Sequence, residues 1–101
     1  MTQKELAQRL VSTGLPVAYQ AFRTRQTPPF VCYLFSYDSQ FYADDGMYFS
    51  AGRYQVELYT SKKDPVIEAR VEAVLAGLCW EKSEEYIDEE KIYQITYEIE
   101  V

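Results

Sequence analysis

The most constraining stretch of this chain is its last one. Tyr93, Ile95, Tyr97, Ile99 and Val101 alternate with Gln94, Thr96, Glu98 and Glu100. Successive side chains on a strand point to opposite faces, so this segment reads as a strand with one apolar and one polar face. Such a strand belongs in a sheet that something covers on one side. The covering elements are upstream. Asp64-Pro65 joins a good N-cap to the residue best suited to the first helical position. Behind it, Ile67, Val71, Val74, Leu75 and Leu78 recur at helical spacing, with Glu68, Arg70 and Glu72 expected on the wet side and Gly77 near the stop. A second short amphipathic helix opens the chain. Thr2 and Glu5 form a capping-box pattern, Leu6 and Leu10 make the stripe, and Ala7 and Val11 are candidates to widen it. Gly14 and Pro16 end it.

Between the helices lie three expected strands. Residues 17–22 alternate until Phe22 falls out of phase, and residues 23–29 are a polar loop closed by Pro28-Pro29, which cannot donate to a ladder. Residues 30–37 are apolar on both parities, as expected of a strand covered on both faces, by its own chain or by a partner. Residues 38–46 read as a connection ending in the turn signal Asp45-Gly46. A strand is expected from Met47 to Thr60, with a possible break at Gly52. After the second helix, residues 80–87 resemble a charged edge strand in which Lys82, Glu84 and Glu85 discourage stray pairing. Asp88-Glu89-Glu90-Lys91 forms the turn into the last strand. The expected order is α-β-β-β-α-β-β. It describes one α+β domain over residues 1–101, a single antiparallel or mixed sheet of four to five strands with both helices on one face.

The chemistry on offer is limited. The chain has no His, which removes the usual general base and the Ser-His and Cys-His nucleophile pairs. Its four glycines are scattered singly, so no phosphate-binding loop is present. Cys32 and Cys79 fit no metal-ligand spacing and read as reduced, buried apolar residues. Asp44-Asp45 reads as turn chemistry, and Glu84-Glu85 and Asp88-Glu89-Glu90 as a solvated edge, in preference to a cation site or a glycosidase pair. The expectation is no enzyme, no cofactor and no metal. A net charge of −6 argues against a nucleic-acid binder of the usual basic kind. No apolar run is long enough to span a bilayer, and no apolar block follows a basic start. A cytosolic chain is therefore expected.

Ten tyrosines in a chain with one Trp stand out. Tyrosine suits half-buried strands, and it equally suits surfaces buried on assembly. Phe41 and Tyr42 are the telling pair, because the expected connection carries them among polar residues. Aromatics there need a cover, whether the chain's own core or a partner. The candidate contact residues are Tyr37, Phe41, Tyr42, Asp44, Asp45 and Tyr48, none with a catalytic role.

Several blocks carry a resemblance. They are Leu15-Pro16-Val17-Ala18-Tyr19, Pro28-Pro29-Phe30-Val31-Cys32-Tyr33 and Phe41-Tyr42-Ala43-Asp44-Asp45. The run from Arg53 to Pro65, the run Trp80 to Ile87 and the run Tyr93 to Glu98 continue the series. In order, these resemble the small tail-terminator or tail-completion proteins of long-tailed phages and Firmicutes prophages. That resemblance implies a structural protein forming a homo-oligomeric ring, usually a hexamer. The ring would cap the tail tube protein and join it to the head–tail connector proteins. It also implies assembly in the bacterial cytoplasm and residence in the virion neck or tail end, with no membrane and no sequence-specific nucleic-acid partner. The excess acids would then face a lumen and repel passing DNA. The alternatives are another neck component (a head-closure or adaptor protein) and an acidic DNA-mimic inhibitor.

Overall fold

A computed structural model describes the backbone of residues 2–42 and 48–100, and the side chains of those outside residues 37–51. The elements run α1 (Gln3–Val11), β1 (Val17–Tyr19), β2 (Phe30–Tyr42), β3 (Tyr48–Thr60), α2 (Pro65–Val74), β4 (Cys79–Ile87) and β5 (Ile92–Glu100). The strands form one five-stranded mixed sheet in the order β1-β2-β3-β5-β4. Only β1 and β2 are parallel; the other neighbours are antiparallel. The fold is α+β, with the element order expected from the sequence.

The register explains the core. Val31 lies opposite Leu58, Tyr33 opposite Val56, and Val56, Leu58 and Tyr54 lie opposite Tyr97, Ile95 and Ile99. These residues share one face and are buried together with Leu6 and Leu10 of α1 and Val71 and Leu75 of α2. Both helices thus cover the same face. Burying each such aliphatic side chain is worth about 1.5–3 kcal/mol, which is what draws two short helices onto the sheet.

Both helices start as their sequences specify. The Thr2 side chain accepts from the Glu5 amide at 3.1 Å, and Asp64 Oδ1 accepts from the Ile67 amide at 3.2 Å. The capping box is closed unconventionally, since the Glu5 carboxylate accepts from the Thr2 hydroxyl at 3.2 Å. Each helix also borrows an arginine from the other. Arg9 donates to the carbonyls of Val74 (3.3 Å) and Ala76 (3.4 Å) at the end of α2, and Arg70 donates to that of Thr13 (3.5 Å) beyond α1. A cation there offsets the negative end of the helix dipole.

Five expectations need correction. Glu68 is buried at 3% exposure, although it was expected on the wet side. It stands three residues before Val71 and seven before Leu75, so it shares their face. Val11 is exposed, because it points away from the Leu6 and Leu10 stripe. Cys79 is exposed at the start of edge strand β4, while Cys32 is buried; both are free. The strand expected over 17–22 stops at Tyr19, where Gln20 takes a left-handed φ of 64° and turns the chain away from β2. The connection expected over residues 38–46 is shorter, because β2 runs on to Tyr42 and Gly52 pairs with Asp38 inside a continuous β3.

Candidate functional site

β2 and β3 are both longer than the sheet they belong to. β5 pairs with β3 only from Arg53 to Thr60, and β1 pairs with β2 only at residues 31–33. Beyond that, residues 38–42 and 48–52 pair only with each other among the described residues. They form a two-stranded arm that projects from the end of the sheet, and the molecule is correspondingly elongated, 51 × 27 × 26 Å. Five paired residues per strand extend about 17 Å. A lone two-stranded ribbon is marginal in water, and its edges expose unpaired N–H and C=O groups, so an arm of this kind gains from a partner.

A register shift between Phe35 and Tyr37 marks the root of the arm. Ser36 is the extra residue of a bulge there, a device that twists and re-aims a strand. It also reverses parity. Tyr33 and Phe35 pair with core positions Val56 and Tyr54, whereas Tyr37 pairs with Arg53 on the opposite face. At the root, Phe35 is 40% exposed and stands edge-on to Tyr54, with ring centroids 5.4 Å apart.

The expected contact residues distribute as follows. Tyr37, Phe41 and Tyr42 are on β2 and Tyr48 is on β3; Phe41, Tyr42 and Tyr48 lie in the arm and Tyr37 at its root. Tyr42 is opposite Tyr48, and Phe41 is opposite Phe49. Asp44 and Asp45 lie outside the described residues. Phe49 joins them only through the register: a hairpin centred between Asp45 and Gly46 would set Phe41 against Ser50, whereas the sheet pairs Phe41 with Phe49.

The sheet face away from the helices is open and acidic. Its parity carries Glu57 on β3, Glu98 and Glu100 on β5, and Glu81 and Glu85 on β4. Glu81 and Glu98 are directly opposed, an arrangement that costs stability between like charges. Arg53 bridges to Glu100 at 3.1 Å, and Glu57 accepts from the Tyr59 hydroxyl and the Gln94 amide, both at 3.1 Å.

At the end opposite the arm, this same face becomes apolar. The loop 20–29 folds beside it and leaves a cleft of about 900 Å³. Phe30 stacks on Tyr59 with centroids 4.8 Å apart, and Phe22 meets Phe30 edge-on at 5.6 Å. Arg25, Glu90 and Lys91 also line the cleft. Cys32 lies in its wall; burial, reinforced by the nearby Glu57 charge, raises its thiol pKa and keeps it a poor nucleophile.

A charged network sits between α2 and β4. Lys82 Nζ is 2.7 Å from the Glu68 carboxylate and 2.9 Å from that of Glu72; Lys63 Nζ is 3.0 Å from Glu68 and 2.8 Å from Glu84. The fully buried Tyr97 donates its hydroxyl proton to Glu72 at 2.8 Å. Every charge here has an opposite partner, so the network fastens α2 to the sheet. Among the described residues no group of three or more His, Cys, Asp or Glu is placed to hold a metal, and no helix is long and apolar enough to cross a membrane. No protein-family model matches the sequence, and no curated protein matches it.

Proposed function

We propose that this chain is a non-enzymatic structural assembly protein that docks through its β2–β3 arm. More specifically, we take it as a subunit of a ring that ends a phage tail tube and joins it to the head connector. The observation that carries this reading is the arm, a ribbon rich in aromatics that, among the described residues, pairs only with itself. Aromatic anchors on a projecting element are the usual energetic centres of protein interfaces. The acidic open face supports the finer reading, since a lumen lined by Glu57, Glu81 and Glu98 repels DNA and lets it pass. A head-closure or adaptor protein shares these demands and is the second reading, with an acidic DNA-mimic inhibitor behind it.

Negative-stain imaging of the protein alone and mixed with tail-tube protein tests the proposal. Rings, free or seated on tube ends, are the expected result. Phe41→Ala with Tyr42→Ala should abolish them while the protein stays folded. A protein that ignores tubes, with the double variant indistinguishable from the parent, sinks the tail-end reading. Inhibition of a nucleic-acid enzyme by the isolated chain would transfer the assignment to the DNA mimic.

A further inference from the structure

We infer that the cleft beside residues 20–29 receives the hairpin arm of a second copy of this chain. The inference rests on the assembly reading and deepens it by naming the contact between subunits.

Geometry excludes an internal solution. β2 begins at Phe30, in the wall of the cleft, and ends at Tyr42, on the arm. Twelve residue steps of extended strand separate them by about 40 Å. Both ends belong to one strand fixed in the sheet, so a chain cannot place its own arm in its own cleft. A second copy can. The contact is then heterologous, with a different surface on each partner, and such contacts propagate into a ring or a filament.

Charge selects the same pairing. From Phe30 to Gly52 the sequence holds Asp38, Asp44 and Asp45 and no Lys or Arg. From Gln20 to Pro29 it holds Arg23 and Arg25 and no Asp or Glu. In a chain of net charge −6, an acid-free basic loop is a local exception, and it borders the cleft. Lys91 adds a cation to the lining and Glu90 offsets one. The apolar chemistry also agrees, since Phe22, Phe30 and Tyr59 offer ring faces and edges to the aromatics of the arm.

The test is sedimentation velocity on the full chain across the micromolar range. The parent should self-associate. Arg23→Glu with Arg25→Glu, and separately Asp44→Lys with Asp45→Lys, should each weaken association at least about tenfold, as reversing complementary interfacial charge does. Mixed one to one, the two reversed proteins should associate again, because a reversed arm fits a reversed cleft. A second readout works even for weak contacts. In a Cys79→Ser background, Gln40→Cys mixed with Thr24→Cys should give the hetero-disulfide in preference to either homodimer. Random pairing there, or a mixture of charge variants that stays monomeric, overturns the contact. A parent that is monomeric alone yet seats on tube ends overturns the contact and leaves the assembly reading standing. A monomer that also ignores tubes removes both.

Discussion

The residue that best shows the physics of this protein is Glu68. A carboxylate at 3% exposure is stable in charged form only because Lys63 and Lys82 reach it. Burial opposes ionisation of Glu68 and Glu72, but hydrogen bonds from Lys82, together with Lys63 for Glu68 and Tyr97 for Glu72, outweigh it and hold both pKa values below the ordinary 4.5. On acidification the unfolded chain therefore takes up protons first. The stability these groups contribute is full above the ordinary carboxyl value and is lost as pH falls through the lowered values. Tyr97 behaves oppositely. Burial, then its bond to Glu72, raises it above the ordinary 10.0, so its contribution is full below 10.0 and is lost as pH rises through the raised value. Urea midpoints measured against pH should fall on both sides of a neutral plateau. Glu68→Gln should lower stability at neutral pH by about 1–2 kcal/mol and flatten the acid limb. Tyr97→Phe should cost about 1 kcal/mol and flatten the alkaline limb. Unchanged limbs in these variants would mean that other groups set the pH dependence.

At the scale of elements, the helix ends and the sheet edge follow local rules. Gly77 holds a φ of 86° after α2, and a Cβ added there meets nothing within 4 Å. Gly77→Ala should therefore cost about 1–2 kcal/mol through backbone strain alone, with Gly77→Asn intermediate; equal thermal midpoints for all three would refute this. Edge strand β4 protects itself in a way its sequence only half announces. Lys82 and Glu84 share parity with Trp80 and Tyr86, toward the helix-covered face. They are spent in the network with α2 and Lys63, and charges turned inward on an edge strand block pairing with another sheet. Lys82→Val should raise the tendency to aggregate, read by light scattering, even where it leaves the fold intact. Soluble, monodisperse Lys82→Val would return the protective role to the outward acids Glu81 and Glu85.

At the scale of the molecule, the folded body and the arm are expected to be separable. Among the described residues the core takes Val31 and Tyr33 from β2 and Tyr54, Val56 and Leu58 from β3, and the bulge at Ser36 divides this region from the arm. Replacing residues 38–52 with Asn-Gly would join the paired positions Tyr37 and Arg53 through a tight hairpin turn. The shortened protein should keep its circular dichroism spectrum and melt within a few degrees of the parent, while losing assembly. Loss of folding would show that the arm supports the core, and retained assembly would place the interface elsewhere.

Much of this architecture was legible in the sequence because it follows from near neighbours. The period of β5, the caps at Thr2 and Asp64, and the apolar spacing of α1 and α2 are local properties, and they determine element type and order. Phe41 and Tyr42 stood out in the same way, as aromatics among polar residues, and the backbone pairing puts them on β2 within the arm. What local pattern could not supply was where pairing continues without burial. Residues 38–42 are too polar to announce a strand, yet they extend one because β3 runs alongside and satisfies their backbone. Nor could it place the Ser36 bulge, which reverses parity, or the fate of Glu68, whose partners lie 5 and 14 residues away in sequence and on other elements. The sequence alone determined the elements, their order and the absence of His-based chemistry. The tertiary structure decided the arm, the cleft at the far end of the same strand, and the charge network between α2 and β4, because register and charge pairing are long-range properties of the folded chain.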